Sequence, residues 1–433
     1  MEELEVDNVA EREMPLGNDE YAEKVADEVT KNLEADEEPA ESEEAPEDAS
    51  DDADLNEAIE SYNVGADVVL AMEDYGDEGI VKKGLSAAGG LAADAVGYLR
   101  DAGIQYGPAV LKAVGSALLF AVVKILKGLY YGEKALTKLI DESMHSYTRY
   151  YAKIAELEKA VIQLKGAGIQ KATTDSKYKN EKVINNMKIG TNLAFVSDLK
   201  AYDDFVHRYV VTTSDKMQGV VSSVKTMIGQ VVSNKIHSPS KMMIETGATA
   251  GFRKGNIEGY NAPDEYTEVY SYPHVLPGDL LVLAYLPKPA LEDNAEIDKA
   301  YNSSTVFIGK KMSGAVGYTE AKFATLAEVE TMLKLMKGIC HSSELSMKRL
   351  KTAEATRNSI RFSLKGMMNY LVGKAEKNKD VLTMSRFISM KLKFMDNCYI
   401  GGSKDIENLT RKVVNNYLIY CKASLIEMSK VKK

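Results

Sequence analysis

The 433-residue sequence contains no Trp and only three cysteines, which lie far apart at Cys340, Cys398 and Cys421. An odd number of scattered cysteines does not build a disulfide framework, so we expect reduced thiols in a cytosol-like compartment. The N-terminus is acidic from Glu2 onward and lacks the basic and apolar regions of a secretory signal. We therefore do not expect such a signal.

Catalytic and metal-binding motifs are also scarce. The sequence has no Gly-x-Ser-x-Gly elbow and no Gly-x4-Gly-Lys-Ser/Thr phosphate loop. Of the 64 Asp and Glu residues, 30 lie in the N-terminal residues 1–79, where solvation keeps them from acting as poised acids or bases. We expect no enzymatic activity and no cofactor, and an enzyme with an unrecognised site is the alternative. None of the five histidines stands at metal-ligand spacing from another His or Cys: His145, His207, His237, His274 and His341.

Basic residues are nearly absent from the first part of the chain. Residues 1–79 contain 30 Asp and Glu but 3 Lys and Arg, a formal charge of −27. Residues 80–433 contain 34 acids and 51 bases, a formal charge of +17. The segment 66–83 is the seam between the two parts. It contains Ala71-Met72-Glu73, in which a small residue stands two places before Glu. A cut after Glu73 would leave 37 acids and 51 bases, a formal charge of +14.

The N-terminal third divides into two segments. Residues 1–73 form an acidic tail with too little apolar content to offset the entropy of ordering, so we expect it to be largely disordered. Residues 74–132 form a Gly/Ala-rich apolar segment that we expect to be helical. Its apolar stretch 102–131 is split by Lys112 into runs too short to span a bilayer. A helix-packing element and a membrane-active segment both remain open for this stretch.

The segment 133–238 carries the clearest periodicity of the chain. A 4-3-4-3 spacing predicts one long helix over 133–165, packed in a bundle or self-associated as a coiled coil. Gly166-Ala-Gly168 is expected to end that helix. Helical patterning continues over 180–235, although 210–233 is ambiguous with a strand. The stripe, in which only the serine is polar, consists of Leu136, Ile140, Ser143, Tyr147, Tyr150, Ile154, Leu157, Val161 and Leu164.

Proline punctuation marks the segment 239–318, which we expect to hold a small sheet. β-branched and aromatic residues concentrate at 266–272, 280–286 and 304–308, and a Pro277-Gly278-Asp279 turn precedes the second of these. Helical patterning returns in the basic segment 319–433, including helices at 382–395 and 406–428. The fold class is therefore α+β, predominantly α-helical, with long amphipathic helices, a small inserted β region and a disordered acidic tail.

Lys and Arg recur through the last hundred residues. A basic body beside a strongly acidic tail favours a polyanionic partner that the tail mimics or blocks. We expect double-stranded DNA, bound without sequence preference. The candidate DNA contacts are Lys348, Arg349, Lys351, Arg357, Arg361, Lys365, Lys391, Lys393, Arg411 and Lys412.

The acidic N-terminal segment, the small-x-Glu junction and the basic helical body together resemble the internal head proteins, also called prohead core or inner-body proteins, of large tailed bacteriophages. The segment 66–76 and the Gly/Ala-rich stretch through Tyr131 are similar to those proteins too. The resemblance covers about residues 50–165. It implies assembly inside the prohead, followed by trimming by the prohead protease after Glu73, with Ala71 and Met72 completing the cleavage site.

This resemblance implies a structural protein inside the phage head, made in the host cytoplasm before assembly and surrounded by other head proteins. Two alternatives to a structural protein remain open. The first is a membrane-active or ejected virion protein that inserts through 102–131. The second is a virion-borne enzyme whose site the sequence does not reveal.

Overall fold

The chain is described by a computed structural model that covers Asn56 and residues 117–431, except 174–175, 234–251, 256, 290, 292, 311–316 and 375–378. The acidic tail, which the sequence predicts to be disordered, lies outside the described residues except for Asn56. Most of the 74–132 segment also lies outside them. In the described part, helices account for most of the chain and a small antiparallel sheet is inserted between them. The predicted α+β, predominantly helical fold class is confirmed.

The elements of the described residues follow one another along the chain with the small strands in its middle. In order they are α1 (Ala117–Gly166), β1 (Lys177–Tyr178), α2 (Glu181–Met187), α3 (Phe195–Val232), β2 (Arg253–Lys254), β3 (Thr267–Ser271), β4 (Leu280–Pro287), α4 (Asn294–Asn302), β5 (Thr305–Lys310), β6 (Ala321–Lys322), α5 (Leu326–Lys374), α6 (Lys379–Phe394), a π-helix (Met395–Gly401) and α7 (Gly402–Ser429).

Helix α1 carries the 4-3-4-3 stripe, and all nine positions of that stripe are buried. The prediction of one long helix over 133–165 is confirmed, and the helix begins earlier, at Ala117. The suggested limit between segments 74–132 and 133–238 therefore falls inside α1. The helix ends at Gly166, and Gly168, with φ of 73°, takes the left-handed conformation that turns the chain away.

Helices α1 and α5 run antiparallel in a regular heptad register. Three polar pairs join the two helices. From one pair to the next, the residue number falls by seven on α1 and rises by seven on α5. Paired polar groups at this spacing flank an apolar seam in coiled coils. The pairs are Lys165–Glu330 at 3.6 Å, Glu158–Lys337 at 2.6 Å and Tyr151–Glu344 at 3.4 Å.

Helix α5 also packs along α3, and α7 packs against α1 and α5. We call α1, α3, α5 and α7 the bundle. Residues 210–232, which the pattern left open between helix and strand, belong to α3. Between α3 and α7 the hydroxyls of Tyr202 and Thr410 are hydrogen-bonded at 2.8 Å. The core of the described residues is largely the set of side chains that these long helices turn toward one another.

The sheet has four antiparallel strands in the order β2-β3-β4-β5. Its three longer strands coincide with the segments 266–272, 280–286 and 304–308, so this part of the prediction is confirmed. Strand β4 lies in the centre, and Val282, Leu283 and Ala284 are fully buried. The Pro277-Gly278-Asp279 turn leads into β4 as expected, with positive φ at both Gly278 and Asp279.

The two C-terminal helices are continuous rather than separate. The seven-residue π-helix joins α6 to α7, where the sequence suggested a gap between 395 and 406. Gly402, at the start of α7, lies against α3 and the sheet. A Cβ there would stand 2.9 Å from the Tyr209 hydroxyl and 2.9 Å from Val306 Cβ. The absence of a side chain at Gly402 therefore allows the bundle and the sheet to meet.

Candidate functional site

The predicted DNA contacts on α5 begin with three exposed bases. Lys348, Arg349 and Lys351 all face solvent, on the outer side of the α1–α5 pair. Lys348 Nζ donates to Glu344 Oε1 at 2.8 Å, so its charge is partly balanced within the helix. The three bases are available to a polyanion, but an acid stands beside them.

Three further candidates, Arg357, Arg361 and Lys365, lie on the same helix toward its C-terminal end. Their side chains fall outside the described part of the structure. The cleavage site formed by Ala71, Met72 and Glu73 also lies outside the described residues.

Two candidates on α6 are buried, which corrects the prediction for them. Lys391 is 2% exposed and Lys393 is 5% exposed. Lys393 Nζ donates to Asn302 Oδ1 of α4 at 2.7 Å. The sequence suggested an amphipathic helix with a basic outer face, but α6 packs against α1, α3, α4 and the π-helix. Because every residue from 383 to 396 is buried, these ammonium groups are not presented at the surface.

The neighbouring candidates Arg411 and Lys412 on α7 have different surroundings. Arg411 is half-buried, and its Nη2 donates to Asn408 Oδ1 at 2.6 Å. Lys412 is exposed and lies close to Lys182 of α2 and Lys310 at the end of β5. Partial desolvation lowers the pKa of Lys412, and the charges of Lys182 and Lys310 lower it further. Like charges held together in this way favour the arrival of an anion.

We call Lys182, Lys310 and Lys412 the three-lysine cluster. Only Lys412 was a candidate from the sequence. The other two lie more than a hundred residues from it along the chain, on elements that carry no basic run of their own. No local signal in the sequence links them, because the cluster forms only when α2, β5 and α7 meet. In the described residues it is an exposed basic group built from three elements.

The bundle encloses a carboxyl group, Glu407 of α7, which is 3% exposed. The Tyr147 hydroxyl of α1 donates a hydrogen bond to Glu407 Oε1, and the Ser143 side chain of α1 lies near the same carboxyl group. Burial raises the pKa of Glu407, while the bond from Tyr147, the charge of Arg411 and the neighbouring Ser143 hydroxyl oppose that rise. We call Ser143, Tyr147 and Glu407 the bundle cluster. Ser143, the polar exception in the α1 stripe, thus marks the place where the bundle buries an acid.

A second buried cluster lies where the loop after α2 meets the turn before β4. Lys188 Nζ is 2.5 Å from Asp279 Oδ2, and their side chains are 3% and 10% exposed. The Gly190 N–H donates to Asp279 Oδ1 at 2.6 Å. Asp198, near the start of α3, accepts the Ile189 N–H at 3.1 Å. We call Lys188, Asp198 and Asp279 the junction cluster.

Asp198 adds a second carboxyl group to the junction cluster. Burial raises its pKa to about 7, the Ile189 N–H opposes that rise, and the charge of Asp279 adds to it. The hydroxyl of Tyr417 on α7 closes the cluster from the bundle side, where it donates to the Phe195 carbonyl at 2.8 Å. An amine, a carboxylate and a second carboxyl are thus enclosed together.

In the described residues, no group of three or more His, Cys, Asp or Glu side chains could hold a metal ion. No described helix has an apolar run of the length that crossing a membrane requires. Residues 102–116 of the apolar stretch lie outside the described part. The chain matches no protein-family model, and no curated protein and no solved structure is significantly similar to it.

Proposed function

We propose that the chain is a structural protein of a bacteriophage head that is trimmed after Glu73, so that its basic body contacts packaged DNA. The observation that carries the proposal is the change of charge at the seam. Removal of residues 1–73 converts a chain of formal charge −10 into one of +14. Its partners are double-stranded DNA, the prohead protease and other head proteins.

The described surface supports DNA contact through exposed rather than buried bases. The three-lysine cluster joins α2, β5 and α7, and Lys348, Arg349 and Lys351 add a second basic site on α5. Lys391 and Lys393 are no longer part of the proposed contact. No base-reading motif is recognisable, so binding is electrostatic and independent of sequence, with an affinity set by counterion release.

The acidic tail acts as an internal competitor for the same bases. Its formal charge of −27 over residues 1–79 is tethered to the body, and tethering gives the tail a high effective concentration. The tail therefore keeps the body away from nucleic acid until trimming. A protease reaches an extended segment more readily than folded backbone, which favours trimming within the seam over trimming in the folded body.

Titration of random duplex DNA with the full chain and with residues 74–433, at several salt concentrations, tests this function. We expect tight, salt-dependent binding by the shorter form and much weaker binding by the full chain. With about six phosphate contacts, log affinity falls with log salt at a slope near −5, at about 0.9 per contact. Equal weak binding by both forms, or binding that ignores salt, would remove DNA from the proposal.

A matched set of variants locates the contact. Replacing Lys182, Lys310 and Lys412 together by Ala should reduce the magnitude of the slope by roughly 2 to 3, which is about 0.9 for each lost phosphate contact. Lys254→Ala is the control, because Lys254 is an exposed base already paired with Glu268 at 2.6 Å. Trimming is tested separately by the intact mass of the protein from its native particle. Material that still begins at Met1 would contradict cleavage after Glu73.

A further inference from the structure

The junction cluster holds an amine and a carboxyl group in contact and away from water. Lys188 and Asp279 are 91 residues apart in the chain, and Nζ lies 2.5 Å from Oδ2. The side chain of Lys188 is 3% exposed and that of Asp279 is 10% exposed. The two side chains are thus held against each other with little access to solvent.

The backbone fixes both reacting groups. The Gly278 N–H donates to the Lys188 carbonyl at 2.9 Å, which ties the turn to the loop. Lys188 Nζ also contacts the Gly190 carbonyl at 3.3 Å. Asp279 has φ of 58°, the left-handed conformation that Asp tolerates, and its carboxyl group thereby faces the loop. Groups held in this way react as an intramolecular pair with a high effective concentration.

One oxygen of Asp279 carries a backbone donor of the kind that stabilises a developing oxyanion. The Gly190 N–H donates to Oδ1 at 2.6 Å, while the amine stands at Oδ2. Attack of Nζ on Cγ places negative charge on Oδ1, where this donor already points. The two oxygens therefore have separate roles: Oδ1 is held by the Gly190 N–H, and Oδ2 is the oxygen that departs as water.

Asp198 supplies a second carboxyl group beside the pair. Its Oδ2 accepts the Ile189 N–H at 3.1 Å, one residue after Lys188. It lies close enough to Lys188 and Asp279 for their charges to act on its own ionisation. A buried carboxyl group in this position can accept the proton of the amine and return it to the departing oxygen.

From the contact between Lys188 and Asp279, the backbone donor on Oδ1 and the neighbouring acid, we infer that Lys188 and Asp279 form an intramolecular isopeptide bond without another enzyme. The linkage closes the loop after α2 onto the turn before β4. It fastens the loop between α2 and α3 to the turn that enters the central strand of the sheet.

The reaction is a condensation that needs no oxidant and no external co-reactant. The ammonium transfers a proton within the cluster, and the resulting amine attacks Cγ of the protonated Asp279 carboxyl. The Nζ–Cγ bond forms, the Cγ–Oδ2 bond breaks, and Oδ2 leaves as water with the protons that Lys188 and Asp279 carried. One ammonium and one carboxylate become one amide and one water, so atoms and charge balance.

The ion pair of Lys254 and Glu268 is the built-in comparison. It has nearly the same separation, 2.6 Å, but the Lys254 side chain is 65% exposed. The Glu268 side chain is 14% exposed, and in the described part of the chain its carboxyl group accepts a hydrogen bond from the Tyr270 hydroxyl but none from a backbone N–H. Water reaches the Lys254 amine and keeps it charged, so proximity alone leaves that pair unlinked.

The test is the intact mass of the full chain, expressed alone and purified under denaturing conditions after storage in the folded state. We expect a mass lower than that of the sequence by one water molecule. Fragmentation of a digest should show the peptides of Lys188 and Asp279 joined. A full mass overturns the inference and leaves an ordinary buried ion pair, as does a water loss that maps to other residues.

Variants separate chemistry from packing. Lys188→Arg should restore the full mass of its own sequence, and the control Lys254→Arg should keep the deficit. Asp198→Asn should slow the loss of water while circular dichroism shows a folded chain, and Asp198→Glu should restore the rate. Linkage at an unchanged rate in Asp198→Asn would remove that residue from the mechanism. A mass deficit that survives in Lys188→Arg would overturn the inference.

Discussion

The bundle cluster and the junction cluster both bury a carboxyl group, but they surround it with different donors. In the bundle, Glu407 accepts a hydrogen bond from the neutral hydroxyl of Tyr147, and the neutral Ser143 hydroxyl lies nearby. In the junction, Asp279 meets the ammonium of Lys188 and a backbone N–H. The first cluster lies between long helices, and the second lies between a loop and a turn.

This difference decides what each cluster can do. Hydroxyl donors do not cancel a charge, so burial dominates and the pKa of Glu407 is raised. The bundle cluster therefore acts as a polar layer that aligns α1 with α7 and is most stable when the acid is neutral. Before any linkage forms, the junction cluster pairs opposite charges at contact distance, so the loss of either partner leaves the other buried without compensation.

The largest effect is expected when the junction cluster loses its amine, measured against wild-type protein whose intact mass shows that Lys188 and Asp279 are still unlinked. Lys188→Met keeps the length of the side chain but leaves Asp279 buried without its cation. Breaking a buried pair costs about 3 to 5 kcal/mol of unfolding free energy. Lys254→Met removes a pair of similar length whose amine is exposed, and should cost about 0 to 1 kcal/mol. Because the chain has no Trp, denaturant unfolding is followed by far-ultraviolet circular dichroism.

Equal stability losses in the two methionine variants would contradict this prediction. That result would mean that the contact between Lys188 and Asp279 contributes no more than a surface ion pair. Of the two clusters, only the bundle cluster would then lose more stability on mutation than an exposed pair does.

The bundle was predictable from the sequence because its contacts repeat. The heptad stripe of α1 is local, and each position reports its own burial through its polarity. Ser143, the exception, marks the level at which the bundle buries polar groups. The acid buried at that level was not predictable, since Tyr147 and Glu407, which are hydrogen-bonded to each other, are 260 residues apart.

The sheet strands were predictable for a similar reason, since β-branched runs between prolines are local signals. The junction cluster was not, because Lys188 and Asp279 each lie in an unremarkable loop or turn and come together only in the fold. The same reason explains the basic surface. Lys391 and Lys393 looked exposed by pattern but are covered by α3 and α4, and Lys412 gained its neighbours from distant elements.

A smaller effect is expected when the bundle cluster loses a neutral donor. Tyr147→Phe removes the hydroxyl that donates to Glu407 and leaves a buried acceptor without that bond, which costs about 1 to 3 kcal/mol. Tyr151→Phe, four residues later on α1, removes a half-buried bond to Glu344 of 3.4 Å and should cost less than about 0.5 kcal/mol. Chemical unfolding of both variants at one pH gives the comparison.

The cost of Tyr147→Phe should also increase with pH. The Tyr147 bond favours the ionised form of Glu407 and lowers the pKa of this acid. Without that bond the pKa of Glu407 in the folded variant rises, so ionising this carboxyl group at high pH costs more stability. A Tyr147→Phe variant that is as stable as the Tyr151→Phe control at high pH would show that Glu407 does not depend on its hydroxyl donor.

The smallest effect concerns the pH dependence of the junction. Burial, the first cause, raises the pKa of Asp198 to about 7 from its ordinary 3.8, with the Asp279 charge adding to the shift. Folding therefore binds a proton at Asp198. The stability that this proton provides is complete below about pH 4 and is lost as pH rises through about 7. Lys188, Asp279 and the Tyr417 hydroxyl are the ionisable groups around it.

Asp198→Asn keeps an oxygen acceptor for the Ile189 N–H and cannot ionise. Between pH 4 and pH 7 its unfolding free energy should fall by about 1 to 2 kcal/mol less than that of the wild type, within the limit of about 1.4 kcal/mol per pH unit for one proton. Asp215→Asn, an exposed acid on the same helix α3, should follow the wild-type profile. If Asp198→Asn follows it too, Asp198 is ionised in the folded chain across this range. The junction cluster would then contain two ionised carboxylates and one ammonium group. It would differ from the bundle cluster only in the net charge of its side chains.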